Sequence, residues 1–195
     1  MKLTGKTVSD ALAAFRSSDP TPGGGSASAL AGAVGASLLA MVASLAKART
    51  ASDEEATELR EAGIRCTVLA SHLEALIDRD AEAYDMVVSA YRLSKQTDEE
   101  KAVRAGRIQD ALKAATDAPL EVMRRCGEAL GFATTIGRLG NPNAASDVQV
   151  AIYLLRAGLA GAAENVEINL GSLKDADYVQ RVRQEAATLA ERGSQ

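Results

Sequence analysis

Residues 21–46 read TPGGGSASALAGAVGASLLAMVASLA, and no charged side chain interrupts the run. Its first part is a glycine-rich loop, whose backbone can come close to a ligand. The remainder predicts a helix of small and apolar residues over residues 26–48. A helix N-terminus presents unpaired N–H groups and the positive end of the helix dipole. The loop therefore lies where an anionic or carbonyl-bearing ligand would bind.

The uncharged run is long enough to span a bilayer, but its composition favours the central helix of a soluble protein. It is rich in Ala, Gly and Ser, and it lacks the flanking aromatic anchors of membrane helices. We therefore expect no membrane partner. A helix that is apolar on all sides needs cover on all sides, so we expect a homodimer with long helices packed across a two-fold axis.

Composition restricts the fold and the partners. A chain of 195 residues with 47% hydrophobic and 25% charged residues is expected to form a single domain, residues 1–195. Aromatic residues make up 3% and Trp is absent, which favours helices packed through Ala, Leu, Val and Ile. The net charge of −4, without a basic stripe, argues against a nucleic-acid partner.

Cysteine usage and the start of the chain indicate the compartment. Cys66 and Cys126 are isolated, and the chain has a single histidine, so no zinc-site pattern is present. No signal-peptide pattern precedes the first helix. We interpret the cysteines as reduced core residues of a cytoplasmic protein.

Hydrophobic periodicity predicts an all-α fold, an elongated up-and-down bundle of long helices that dimerises. Ser52 with Glu55, and Thr97 with Glu100, form capping boxes that start two of the helices. Pro119 is expected to end or kink the fourth helix. The predicted helices cover residues 7–16, 26–48, 52–94, 97–119, 120–139, 144–170 and 175–191.

Asp80 occupies a position that the pattern of the third helix reserves for a core residue. At about 100° per residue, one face carries an apolar stripe that includes Asp80. The apolar members of this stripe are Leu69, Leu73, Leu76, Ile77, Tyr84, Val87 and Tyr91. The neighbouring acids Asp78, Glu82 and Asp85 are predicted on the solvated face. A buried carboxylate is costly unless it is paired or chemically required, so two interpretations stay open: an ion pair with an arginine, and a catalytic role.

A second polar strip follows the sixth predicted helix, beside its apolar face. Its members are small or carry amide and carboxylate groups: Asp147, Ala151, Gly158, Ala162, Asn165 and Asn169. A shallow groove of this kind suits a flat heterocycle, but it equally suits tight helix packing at a subunit contact. Asn143 and Ser146 are also candidate helix caps.

Five motifs share their order with a known family. PGGGS at residues 22–26 precedes the uncharged helix, and DRDAEAY at 78–84 lies in the third helix. KQTDEEK at 95–101, GNPNAASDV at 140–148 and NVEINL at 165–170 follow. This ordered set resembles the cyclodeaminase/cyclohydrolase family of folate one-carbon enzymes. The family includes the C-terminal domain of formiminotransferase-cyclodeaminase and stand-alone methenyltetrahydrofolate cyclohydrolases. Two features depart from its pattern: Ser94 stands where the family usually has proline, and only Lys47 and Arg49 follow the uncharged helix as a basic cluster.

The resemblance implies a dimerising helical bundle with a reduced folate as substrate and with no metal or cofactor. It implies that Asp80 is the catalytic residue, which stabilises an amidinium-like cation and transfers a proton. The expected substrate-binding residues fall into three groups. The ligand loop comprises Gly23, Gly24, Gly25 and Ser26; the cations for the glutamate carboxylates are Lys47, Arg49 and Lys95; the candidates for the pterin edge are Asn143, Ser146, Asp147, Asn165 and Asn169.

Two folate reactions and one non-catalytic role are open at this point. The first is hydrolysis of 5,10-methenyltetrahydrofolate to 10-formyltetrahydrofolate by a methenyltetrahydrofolate cyclohydrolase. The second is ring closure of 5-formiminotetrahydrofolate with release of ammonia, the cyclodeaminase reaction of histidine degradation. The sequence does not separate them, because both reactions use one site and one type of cation. The third is a helical folate-binding or assembly protein without catalysis.

Overall fold

Six α-helices form the protein in a computed structural model that describes residues 2–194. They are α1 (Val8–Phe15), α2 (Gly24–Ser44), α3 (Asp53–Tyr91), α4 (Asp98–Leu139), α5 (Ala145–Leu170) and α6 (Ala176–Ser194). Leu3–Gly5 and Pro142–Ala144 form 3₁₀ turns. No β-strand occurs in residues 2–194, so the all-α prediction is confirmed.

The two longest helices begin at the predicted caps. The Thr97 side chain accepts a hydrogen bond from the Glu100 N–H, and the Glu100 carboxylate accepts one from the Thr97 N–H, which is a complete capping box. At α3, Ser52 likewise accepts from the Glu55 N–H. The Glu55 carboxylate, however, accepts from the N–H of Ala51, one residue before the predicted partner. Both caps satisfy first-turn donors that would otherwise have no partner.

Helices α2 to α5 form an antiparallel four-helix bundle, and α6 packs on α4 and α5. Each connection is a short turn, so each helix returns along the one before it, as in an up-and-down bundle. α2 lies between α3 and α5, and it approaches α5 closely. A Cβ atom at Gly35 would lie 2.9 Å from the Ala151 carbonyl oxygen, and one at Gly158 would lie 2.7 Å from the Ser28 carbonyl oxygen. Glycine at these two positions allows the backbones to meet.

α4 continues through Pro119, and the predicted break at this residue is wrong. Proline lacks the N–H that would bond the Ala115 carbonyl four residues earlier. In the folded protein the Asn169 side-chain amide of α5 donates to that carbonyl at 2.8 Å. A tertiary contact therefore replaces the missing helical hydrogen bond.

α2 is buried on one face and exposed on the other, so its own chain covers only part of this apolar helix. Apart from the exposed first residue, Gly24, the exposed positions form a stripe of Ala27, Leu30, Val34, Ser37, Met41 and Ser44. By length and composition α2 could cross a membrane, but its buried face packs against α3 and α5. The helix ends at Ser44, before the predicted end at residue 48. Lys47 follows with a φ of 62°, in the left-handed region.

The C-terminal part of α3 and the first part of α4 extend as a hairpin. Tyr84 and Tyr91, which the periodicity predicted to be core residues, are 40% and 51% exposed. A small separate cluster holds the hairpin together: Ala90, Ile108, Ala111 and Leu112. The main core lies between α2, α3, α4 and α5, and both cysteines are buried in it as predicted. Burial raises the pKa of each thiol to about 12.

Candidate active site at the start of helix α2

Asp80 of α3 lies against the first turn of α2. Its Oδ2 atom accepts a hydrogen bond from the Ser26 backbone N–H at 2.8 Å, and the Ser26 hydroxyl lies 3.1 Å from the same oxygen. That hydroxyl also lies 2.8 Å from the Ile77 carbonyl oxygen. The periodicity of α3 and the glycine-rich loop thus place Asp80 and Ser26 in one site.

The contact between Asp80 and the loop requires glycine at position 25. A Cβ atom on Gly25 would lie 2.0 Å from Asp80 Oδ1, closer than any real Cβ contact allows. Oδ2 is held by Ser26, whereas Oδ1 accepts no hydrogen bond from any residue that the structure describes. The carboxylate is therefore fixed through one oxygen and keeps the other available.

Burial raises the pKa of the Asp80 carboxyl above its ordinary value of 3.8, and the hydrogen bonds from Ser26 oppose that rise. The predicted alternative, a buried ion pair, is not formed: across residues 2–194 no cationic nitrogen lies within 4.0 Å of this carboxylate. Asp80 does satisfy a first-turn N–H of α2, whose N-cap residue Gly23 has no side chain to do so. A half-buried carboxylate without a cation is suited to bind a cationic ligand or to exchange a proton.

Asp78 is buried, and the prediction that it lies on the solvated face is wrong. Its oxygens accept from the Leu3 N–H at 2.5 Å and from the Thr4 hydroxyl at 2.6 Å. The N-terminal segment therefore covers the face of α3 that helix periodicity assigns to solvent. Glu82 and Asp85 are exposed, as predicted. No local pattern signals the role of Asp78, because its partners lie more than 70 positions away in the sequence.

Asn165 of α5 borders the same loop. Its amide nitrogen donates to the Gly161 carbonyl at 2.8 Å, and a Cβ on Gly24 would lie 3.2 Å from that nitrogen. Its neighbour Asn169 is engaged elsewhere, because its amide compensates for Pro119 as described above. Of the two amides, only Asn165 contacts the loop.

A groove of about 680 Å³ opens beside Ser26, between the N-terminal segment, the loop before α2 and helix α3. Thr21, Pro22 and Ser26 line one side of it. Of the described residues, five carboxylates and two ammonium groups line this groove: Asp10, Asp19, Asp78, Glu82, Asp85, Lys2 and Lys6. The groove reaches the first turn of α2 at Ser26, and Asp80 is not among the residues that line it.

The remaining predicted site residues lie elsewhere in the single chain. The far end of α2 joins the end of α4, where the Arg49 N–H donates to the Leu139 carbonyl at 2.7 Å. Lys47, Arg49, Asn143, Ser146 and Asp147 all lie at this end, about 30 Å from Asp80 along the axis of α2.

Lys95 is also remote, because it lies in the turn between α3 and α4, about 16 Å or more beyond Asp80 along α3. The predicted capping roles near α5 are wrong. Asn141 accepts from the Asn143 N–H at 2.9 Å, and Ala144 is the N-cap of α5. No group of three or more His, Cys, Asp or Glu residues that could hold a metal occurs within residues 2–194.

Comparison with known proteins identifies the family of the chain. The family described as formiminotransferase-cyclodeaminase matches residues 7–188. A methenyltetrahydrofolate cyclohydrolase of Methylorubrum extorquens is 41% identical over 190 residues, which is 97% of this chain and 91% of that protein. The formimidoyltransferase-cyclodeaminase of Rattus norvegicus is 31% identical over 86% of this chain, but the match spans only 31% of the rat protein.

The fold also has a solved counterpart. A crystal structure of the formiminotetrahydrofolate cyclodeaminase of Thermotoga maritima superposes with a TM-score of 0.87 at 24% identity. The superposition covers 99% of this chain and 92% of that chain. At this identity the likeness bears on the fold alone.

Proposed function

The chain belongs to the formiminotransferase-cyclodeaminase family, and we propose that it is a methenyltetrahydrofolate cyclohydrolase. The reaction is hydrolysis of 5,10-methenyltetrahydrofolate to 10-formyltetrahydrofolate. The identity of 41% with a cyclohydrolase, over most of both chains, favours this reaction.

The observation that carries the proposal is the environment of the Asp80 carboxylate. Its carboxylate is half-buried, bound through Oδ2 to Ser26, and has no cationic partner within residues 2–194. The substrate is an amidinium-like cation, which a carboxylate in a low-dielectric site stabilises. Because the methenyl group carries the positive charge, substrate binding would lower the pKa of Asp80 that burial raises.

The proposed reaction has two proton-transfer steps. Water adds to the methenyl carbon while Asp80 Oδ1 takes one of its protons, which gives a neutral carbinolamine. The bond from that carbon to N5 then breaks. N5 takes the proton that Asp80 holds, and the carbinol hydroxyl gives its proton to solvent as the formyl C=O forms. One proton is therefore released overall. Asp80 would act as base in the first step and as acid in the second.

The loop residues Gly23 to Ser26 and the Asn165 amide form the proposed binding site for the folate ring. In support of this, Gly25 and Ser26 contact Asp80, and Asn165 lies beside Gly24. The Asn165 carbonyl oxygen is free to accept from a ring N–H, because the amide nitrogen is the atom that bonds Gly161.

A homodimer in the cytoplasm is part of the proposal. The exposed apolar stripe of α2 supports dimerisation, since apolar helix faces of this length are normally covered. The two buried, unpaired cysteines are consistent with a reducing compartment.

The cyclodeaminase reaction is the second candidate, favoured by the 31% identity with the rat enzyme. The test is spectrophotometric. The methenyltetrahydrofolate absorbance should fall faster than it does spontaneously, at a rate that increases in proportion to the amount of added protein. Ammonia released from 5-formiminotetrahydrofolate, without methenyl hydrolysis, would assign the second candidate instead. Absence of both activities would leave a non-catalytic folate-binding role and refute the proposed enzyme.

A further inference from the structure

The predicted binding residues are divided between the two ends of α2. Asp80, the glycine-rich loop and Asn165 lie at the start of the helix, while Lys47 and Arg49 lie beyond its end. A molecule bound at Asp80 cannot reach both groups within one chain, because about 30 Å of helix separates them. Either the second group has no part in the site, or another chain brings it there.

The exposed stripe of α2 has the spacing of a helix–helix seam. Its positions are 27, 30, 34, 37, 41 and 44, so the spacing between neighbouring positions alternates between three and four residues. This spacing is typical of helices that cross at a shallow angle of about 20°. Leu30, Val34 and Met41 are 36%, 43% and 38% exposed in the single chain, so the seam is only partly covered.

The stripe is symmetric about its own centre. Position 27 mirrors 44, position 30 mirrors 41, and position 34 mirrors 37, so the two residue numbers of each pair add up to 71. Two copies of α2 that pack antiparallel around a two-fold axis would therefore superimpose their stripes along the whole length. In this register, the start of α2 at Gly24 lies beside the end of α2 of the partner subunit, from which Lys47 and Arg49 follow.

Charge favours the same register. The groove beside Ser26 is lined mainly by carboxylates. Lys47 and Arg49 are exposed, and neither forms an ion pair within residues 2–194. Antiparallel packing places the basic end of one subunit opposite the acidic end of the other. At a crossing of about 20°, the helix ends diverge by only about 6 Å, which long basic side chains can bridge.

We propose that the folate site is shared between two subunits: Asp80 and the glycine-rich loop come from one chain, and Lys47 and Arg49 come from its antiparallel partner. The two cations bind the glutamate carboxylates of the substrate. This inference rests on the proposed function for the identity of the ligand, and on the seam of α2 for the register.

Subunit mixing tests the shared site. Asp80→Asn and the double variant Lys47→Gln/Arg49→Gln are co-expressed with different tags, and the heterodimer is purified through both. We expect the double-variant homodimer to have a KM raised by about tenfold. In a shared site, the heterodimer contains one fully wild-type site, so it shows half of the wild-type kcat per dimer with the wild-type KM. If each site lies within one chain, the site that keeps Asp80 lacks both Lys47 and Arg49. The heterodimer then has the raised KM of the double variant, which would overturn the proposal. An unchanged KM in the double-variant homodimer would overturn it as well.

A cross-linking experiment tests the register without relying on activity. Ala27→Cys and Ser44→Cys are combined in one chain, where about 26 Å of helix prevents a bond between them. In the proposed dimer each faces the other across the axis, so mild oxidation should give a disulfide-linked dimer on a non-reducing gel. The single variants are the controls, because neither position faces itself, and the native cysteines are buried. Cross-linking of the double variant no faster than the singles would overturn the register. If the wild-type chain turns over no folate, the proposed function fails, and the cross-link still decides the subunit arrangement.

Discussion

Gly25→Ala should inactivate the enzyme while leaving its fold intact. The added Cβ would lie 2.0 Å from Oδ1, 2.5 Å from Cγ and 2.7 Å from Oδ2 of Asp80. Because real Cβ contacts essentially never fall below 3.0 Å, the carboxylate has to move by about 1 Å or more. The displacement also strains the hydrogen bonds that Ser26 makes to Oδ2.

A misplacement of about 1 Å in a catalytic group can cost roughly 10²-fold in rate. We therefore expect kcat for methenyltetrahydrofolate hydrolysis to fall by about 10²-fold. Stability should change little, because the three atoms that the Cβ would meet belong to the end of the Asp80 side chain and not to the backbone. The assay combines kcat from loss of methenyl absorbance with far-UV circular dichroism and urea unfolding.

Gly131→Ala is the matched control. It makes the same substitution within α4, where a Cβ meets nothing within 4 Å. Its kcat should equal that of the wild type, with equal or slightly higher stability. If Gly25→Ala keeps wild-type kcat, Asp80 does not act from the position described, and the reasoning fails.

Two further predictions concern the contacts of Ser26 and Asn169. Ser26→Ala removes the hydroxyl that lowers the pKa of Asp80, so that pKa should rise further. If the ionised carboxylate performs the first step, the acid limb of the kcat/KM–pH profile shifts to higher pH; an unshifted limb would show that the Ser26 hydroxyl does not set this pKa. Asn169→Ala leaves the Ala115 carbonyl without its partner and should destabilise the protein by about 1–3 kcal/mol in urea unfolding. In a Pro119→Ala background the new N–H can bond that carbonyl, so the cost should fall; equal costs in both backgrounds would contradict this role.

Local signals in the sequence were sufficient for the helix starts and for Asp80. The caps at Ser52 and Thr97 act within four residues, so the sequence around each contains all the partners it needs. The position of Asp80 follows from the helical repeat over a few turns, and the glycine-rich loop indicates a close contact. These predictions required no knowledge of the tertiary structure.

The structure differs from the sequence-based predictions where a distant residue changes a local rule. The break predicted at Pro119 is prevented by Asn169, and the solvated position predicted for Asp78 is covered by Leu3 and Thr4. Neither partner is identifiable from helix periodicity.

The family resemblance groups the site motifs, although α2 separates them in the single chain. Motif order alone carries no distance information. The exposure of α2 is likewise a property of the assembled bundle, which sequence patterns do not report.

The Asp80→Asn variant tests the central claim most directly. Asn is similar in shape and can still accept from the Ser26 N–H, so the fold should persist. Because burial raises the Asp80 pKa, the folded state binds more protons than the unfolded chain just above pH 3.8. Folding therefore becomes less favourable as the pH rises above 3.8 and the buried Asp80 carboxyl ionises. The variant should therefore be at least as stable as the wild type at neutral pH.

The decisive measurement is the kcat of Asp80→Asn for methenyltetrahydrofolate hydrolysis, made on protein shown to be folded. Loss of a positioned acid/base group predicts a fall of about 10²–10⁴-fold. Wild-type kcat in the folded variant would contradict the assignment of Asp80 as the catalytic residue.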